Sequence, residues 1–333
     1  MRARPGASAS VRAVTGPLSF SPLFMERVWG GRRLESLFGK PLPPGAVIGE
    51  SWEVVDRPEA QSVVAAGPLA GRSLHDLWAA PDGGRERLFG ARATGAGDRF
   101  PLLIKLLDCE QTLSVQVHPP AAVASSPCGE PKTEMWVILD AEPGAHLFAG
   151  LRRGVTRERF EDGLRAGEDV SELLQRVEVD AGDVMFLPSG RVHAIGAGNV
   201  ICEIQQNSDT TYRLFDFNRL GLDGRPRELH VERSLESIDW TDAEPALVEP
   251  DGDVLVSNDV FHVERWSLEE PRAAAPEGEC AILAVLDGAP ECGGSAFAPG
   301  SLFLVPAEAD DLTVSPGDDG ATVLQITLPA RSA

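Results

Sequence analysis

The chain has 333 residues, 43% of them hydrophobic, which is material for a sizeable core and too much for one small domain. A formal net charge of −21 argues against a protein that grips nucleic-acid backbones, and no apolar run reaches the length of a membrane span. Salt screens such a surface field beyond about 8 Å, so an anionic ligand is still admissible where cations line the pocket itself.

The first sixteen residues, MRARPGASASVRAVTG, carry three arginines, no acid and no apolar secretory core, and read as a disordered tail. Residues 17–250 then form the larger predicted unit. SWEVVD and QSVVAAG read as strands, and Ser73 reads as the cap of a short helix whose apolar positions recur at spacings of three and four. Residues 101–118, PLLIKLLDCEQTLSVQVH, are strand-like at both ends, and KTEMWVILD at 132–140 is a further strand. Thr156 to about Gln175 is predicted helical on the spacing of Phe160, Leu164, Leu173 and Leu174, a helical insertion near 156–176. VEVDAGDVMFLPSGRVHAIG and VICEIQQ follow as strands around a Pro188-Ser189-Gly190 turn. From residue 251 to 333 short strands and turn signals recur, which marks a second unit.

The 26 prolines and 34 glycines fit a turn-rich, mainly β protein. An internal repeat agrees: Gly182-Asp-Val-Met-Phe-Leu-Pro188 has the form of Gly300-Ser-Leu-Phe-Leu-Val-Pro306. The five cysteines (Cys109, Cys128, Cys202, Cys280, Cys292) make an odd set without a CxxC pair, which argues against a disulfide framework or thiolate metal site and fits a reducing cytoplasm.

Gln116 and His118 stand at i and i+2, on one face of a strand, and Lys132 and Glu134 repeat that spacing with a cation and a carboxylate. Singly, each has a bland reading: a packed histidine, an amide bonding a neighbouring strand, an ion pair. Gly182-x5-Pro188-x-Gly190-x2-His193 changes the weighing, because it resembles the second motif of the cupins, in which that histidine ligates a metal. The first cupin motif is altered: Gln116 stands where a histidine is usual, Glu134 follows His118 at a longer interval, and Ala197 replaces a common asparagine.

Those alterations match one branch. Trp29-Gly30-Gly31, Gly49-Glu50-Ser51-Trp52, Phe100 to Lys105, Leu113 to Pro119, Lys132-Thr133-Glu134, Pro188 to Gly196 and Gln206 to Arg213 occur in the order and spacing of short bacterial type I mannose-6-phosphate isomerases. The resemblance runs from about Trp29 to His230. It implies two cupin (jelly-roll) β-barrels with short helical insertions, the second degenerate: Asp311 falls at the offset of His193, and no histidine follows Gly300. It further implies one Zn2+ per chain held by Gln116, His118, Glu134 and His193, with Arg213 as catalytic arginine and Glu203 and Lys132 lining the active site. The implied reaction interconverts mannose 6-phosphate and fructose 6-phosphate through a cis-enediol(ate), with Glu203 and Lys132 as the two candidates for proton transfer. Two other classes use the same residues. A two-histidine, one-carboxylate set also suits iron(II) in a cupin oxygenase, and some cupins only bind sugars. His75, His146, His230 and His262 belong to no pattern and read as structural or exposed.

Overall fold

Leu102–Cys109 is buried at all eight positions, which a strand achieves only when both of its faces are covered. The computed structural model shows how; it describes residues 14, 16–124, 129–309 and 312–330. Most of the expected N-terminal tail, Cys128 and Asp311 lie outside the described residues.

Leu102–Cys109 is an inner strand of a six-stranded sheet, in the order Val184–Leu187, Glu134–Ala141, Asn199–Gln206, Leu102–Cys109, Ile48–Val54, Leu23–Gly31. A five-stranded sheet faces it: Leu174–Glu178, His146–Leu151, His193–Ile195, Val115–Val117, Tyr212–Phe215. Leu107, Trp136, Ile138, Met185 and Ile201 from the first meet Leu147, Ala149 and Ile195 from the second. These pairings are antiparallel, the signature of a jelly-roll sandwich.

The C-terminal part repeats the plan. Val254–Ser257, His262–Leu268, Ala321–Thr327, Ala281–Gly288 and Leu302–Val305 form a sheet that faces a four-stranded one across an apolar interior containing Trp266, Leu283, Phe303, Val314 and Val323. The sequence repeat is a structural one. Val184–Leu187 pairs with Glu134–Ala141 in the register in which Leu302–Val305 pairs with Ala281–Gly288. By that register Ala281 stands where the first unit has Glu134, and Gln325 stands where it has Glu203. The second interior therefore lacks both carboxylates, and Phe297 and Phe303 stack in it with centroids 3.8 Å apart.

The two large sheets lie back to back. Ile104, Leu106, Met135, Val137 and Ile204 share one cluster with Val263, Ile282, Leu304, Leu324 and Ile326. Hydrogen bonding also crosses the sequence boundary drawn at residue 250, because Leu18–Ser21 and Val63–Val64 extend the C-terminal sheet beside Leu302–Val305.

The insertion differs from the single helix expected over 156–176. Its helix spans Arg157–Ala166 and ends at Gly167, whose φ of 69° supplies the left-handed cap. Asp169 then opens a 3-10 turn at Val170–Leu173, and Leu174–Glu178 is a strand. Among the described residues no helix is long and apolar enough to cross a membrane.

Candidate active site

The two sheets of the first sandwich each contribute one row of polar side chains to its interior. On the five-stranded sheet His193 pairs with Gln116, and Gln116 pairs with Arg213 on the next strand. Residues directly opposite on adjacent strands present their side chains on the same face, so these three stand in line. On the six-stranded sheet Glu203 pairs with Lys105 on one side and Trp136 on the other.

His118, Glu134 and His193 converge where the rows meet. Their ligand atoms lie within 4.8 Å of one another, and all three residues are buried. His118 Nε2 is 3.4 Å from Glu134 Oε2, and His193 Nε2 is 3.6 Å from Oε1. Each imidazole is fixed from behind: His118 Nδ1 lies 2.8 Å from the Thr210 carbonyl and His193 Nδ1 lies 2.9 Å from the Arg191 carbonyl. A carbonyl only accepts, so each Nδ1 carries the proton and each Nε2 offers its lone pair to the centre. Burial and the neighbouring His118 bring His193 down to about 3, and burial with Lys132 lowers His118, so both rings are neutral ligands at ordinary pH. Burial alone would raise Glu134, but Lys132 and the two imidazoles hold its carboxyl well below the usual range.

These residues fit a divalent cation. Both Glu134 oxygens are buried without a hydrogen-bond partner, although Lys132 Nζ stands 2.8 Å from Oε2 as an ion pair and 3.2 Å from His118 Nε2. A buried carboxylate with unmet lone pairs beside two imidazole lone pairs is a donor set for zinc. Gln116 borders it with its amide nitrogen 3.3 Å from His193 Nε2, and turning the amide by half a revolution presents the oxygen instead.

A cavity of ≈ 560 Å³ adjoins this group, lined among others by Gln116, Lys132, Glu203, Arg213, Lys105 and Trp29. Glu203 Oε2 is 3.3 Å from Lys105, its Oε1 is 3.8 Å from Lys132, and Trp136 Nε1 donates to Oε1 at 3.3 Å. Burial raises the Glu203 carboxyl above the ordinary value, against the pull of Lys132 and Lys105. Arg213 Nη1 donates to the Glu228 carbonyl at 2.8 Å, while its Nε is buried without an acceptor.

All seven sequence-predicted site residues thus border one region. Sequence reasoning missed Lys105, Glu50 and Trp29 as individual groups. Lys105 is a lysine inside an apolar strand, the same signal that singled out Glu203, and its ammonium lies 5.0 Å over the Trp52 ring. Glu50 accepts from Arg27 and from Trp52 Nε1, both at 2.8 Å; burial would raise it, but Lys105 and Arg27 hold it down to about 2. Trp29 lines the cavity, and the chain packs closely around it: a Cβ on Gly30 would strike the Gly49 backbone and one on Gly49 would strike the Arg27 side chain and the Trp29 ring. The histidines read as structural lie outside the metal group: His75 bonds Asp56, His262 bonds Glu264, His146 is partly exposed, and His230 Nδ1 accepts the Arg213 amide at 3.2 Å.

Fold and site together define a double cupin whose one metal-capable group among the described residues lies in its first unit. Residues 18–134 match the family model described as phosphomannose isomerase type I, catalytic domain. Mannose-6-phosphate isomerase ManA of Bacillus subtilis is 39% identical over 283 residues, covering 82% of this chain and 86% of that protein. The probable mannose-6-phosphate isomerase GmuF of the same organism is 36% identical over 322 residues, covering 90% and 96%. A crystal structure of the mannose 6-phosphate isomerase from B. subtilis superimposes with a TM-score of 0.82 at 30% identity, covering 94% of this chain and all of that one. The chain belongs to the type I phosphomannose isomerases, a family of aldose–ketose isomerases.

Proposed function

We propose that this chain interconverts mannose 6-phosphate and fructose 6-phosphate, with one zinc ion per chain held by His118, Glu134, His193 and the Gln116 amide. The observation that carries the reading is a buried set of two neutral imidazoles and one carboxylate beside a cavity that holds a second buried carboxylate flanked by two lysines. A bound zinc supplies Lewis-acid polarisation of the sugar oxygens O1 and O2.

The chain's own residues do the rest. Glu203 is the group that carries the proton between C1 and C2. It stands on the cavity wall free of the metal ligands, whereas Lys132, the other candidate, is tied to Glu134 and His118. Lys105 and Lys132 oppose the rise that burial imposes on the Glu203 carboxyl, and Trp136 orients one of its oxygens. Lys132 and Arg213 supply positive charge where an enediolate oxygen develops its negative charge, the kind of preorganised stabilisation that is often the largest factor in catalysis. A cytoplasmic setting is supported by four free, buried cysteines.

The test is a coupled assay on the purified full chain, following fructose 6-phosphate formed from mannose 6-phosphate before and after chelation and on return of zinc. We expect activity to vanish on chelation and recover with zinc. His193→Ala is expected to drop bound metal to roughly a tenth or less, since one ligand of at most four is gone. Full activity after metal removal would sink the reading; oxygen uptake with iron(II) would point to an oxygenase instead.

A further inference from the structure

The carbonyl behind His118 belongs to Thr210, in the turn between the strands Asn199–Gln206 and Tyr212–Phe215. That turn is held by the segment leading to Lys132. The Glu130 amide donates to Thr210 Oγ1 at 2.9 Å, and Ser208 Oγ donates to the Glu130 carbonyl at 3.1 Å while accepting from the Thr210 amide at 3.2 Å. The fit is close: a Cβ on Gly129 would come within 2.7 Å of Tyr212 Oη and 2.8 Å of Thr210 Cγ2. Two residues beyond Glu130, Lys132 places its ammonium 2.8 Å from Glu134 Oε2 and 3.2 Å from His118 Nε2. The position of Glu130 thus bears on His118 from both sides, through Thr210 behind the ring and through Lys132 in front of it.

The Glu130 side chain is in turn gripped from outside. Arg57 Nη1 donates to Glu130 Oε2 at 2.9 Å and to the Asn207 carbonyl at 3.0 Å, and Arg99 pairs with Oε1. Asn207 Nδ2 donates to the carbonyls of Asp56 and Phe100, both at 2.7 Å, so the two arginine-bearing loops are tied to the turn through their backbones as well. Burial would raise the Glu130 carboxyl, but the bonds from Arg57 and Arg99 hold it below the ordinary value, so it stays ionised. The Arg57 side chain is 12% exposed, against 32% for Arg99. An exposed ion pair wanders and contributes little, whereas a mostly buried guanidinium with two acceptors at fixed positions holds one geometry. Arg57, Arg99 and Glu130 are all set back from the residues that line the active-site cavity.

Resting on the isomerase reading above, we infer that Arg57 is a positioning residue for this reaction: by holding Glu130 to the Asn207 carbonyl it fixes both the Thr210 carbonyl that orients His118 and the Lys132 ammonium that faces it. Without the clamp the Thr210 carbonyl turns away. His118 then loses the bond that keeps its proton on Nδ1, and its Nε2 lone pair no longer stays aimed at the metal group. Lys132 drifts from the place where the enediolate charge develops.

The test compares the full chain with its Arg57→Met variant, with zinc alone as the probe of the metal-free protein and mannose 6-phosphate as substrate of the zinc-loaded one. Losing a group that orients a metal ligand should weaken zinc binding by roughly 10-fold or more and lower kcat by a similar factor. KM should stay within about threefold, because no contact to the substrate is removed. Magnetic resonance of the chain carrying isotope-labelled histidine reads the clamp without turnover: the His118 Nδ1–H exchanges slowly in wild type and rapidly in the variant. Arg57→Lys keeps a cation facing Glu130 and should recover most of the zinc affinity. Zinc affinity and the Nδ1–H signal both unchanged in Arg57→Met overturn the inference even if that variant melts earlier, since a merely structural ion pair moves only the melting point. Should Arg57→Met not fold, Glu130→Gln keeps the backbone bonds to Thr210 and Ser208 and removes only the charge that the arginines hold: zinc weakened by about tenfold supports the clamp, and unchanged affinity overturns it. If wild type binds zinc without isomerising mannose 6-phosphate, the isomerase reading fails, while a loss of zinc affinity in Arg57→Met still supports the clamp.

Discussion

Lys105 sits among eight consecutive buried positions, with its ammonium 3.3 Å from Glu203. Removing one partner of such a pair leaves the other charge uncompensated in a poor solvent for ions. Burial already raises Glu203, and Lys105 is one of the two cations that oppose that rise. If Glu203 is the base, it works only when deprotonated, so activity falls as pH drops through its pKa. Lys105→Met takes away a charge favouring the carboxylate, so the Glu203 pKa rises further and the acid limb of kcat/KM moves to higher pH. Activity near neutrality should fall by up to roughly 10²-fold, the scale of general acid–base assistance. An acid limb left in place would remove Glu203 from the role. Sequence could pick out His193 because cupin-like spacing marks it, and His118 and Glu134 because their departures from that spacing match one branch of the cupins. Lys105 was hidden because an apolar strand pattern absorbs a single charge, and only the cross-strand register with Glu203 reveals what that charge meets.

Elements were legible where their signals are local. Ser73 caps Leu74–Trp78 with a full capping box, its Oγ accepting from the Asp76 amide at 3.0 Å, as residue order alone implied. That helix sends Leu74, Leu77 and Trp78 into the main core. Ser73→Ala should therefore cost about 1 kcal/mol, the usual loss for an N-cap hydroxyl, read as a lower denaturant midpoint with unchanged kcat. A midpoint identical to wild type would show that tertiary packing alone holds the helix. Signals failed where a pattern ran through a break. The apolar spacing after Thr156 continues past Gly167, yet a left-handed glycine and the Asp169 cap end the helix, and the following apolar residues alternate as a strand. QSVVAAG yields only Val63–Val64 as its longer-range strand, paired with Leu18–Ser21, because partner and register depend on distant chain that no local window contains.

At the scale of the molecule, the two sandwiches share one core, and this determines what the C-terminal unit does. Its sheet lays Val263, Ile282, Leu304, Leu324 and Ile326 against Ile104, Leu106, Met135, Val137 and Ile204. Those first-unit residues alternate with the site: Ile104 and Leu106 flank Lys105, Ile204 follows Glu203, and Met135 follows Glu134. Strands that hold the active-site row on one face thus depend on the second unit to keep their other face dry. Ala281 and Gln325 stand in that unit where the first has Glu134 and Glu203, so neither carboxylate is kept, and its contribution is burial and support. Truncation near residue 250 would expose this apolar face and also strip Leu18–Ser21 of its partner Leu302–Val305. A contiguous apolar surface well beyond the few hundred Å² that monomers tolerate leads to aggregation. The fragment should be insoluble or bind a hydrophobic dye strongly, with activity lost, whereas His262→Ala in the intact chain should leave kcat within a few-fold. A soluble, monomeric fragment ending near 250 with full activity would contradict a supporting role for the shared core.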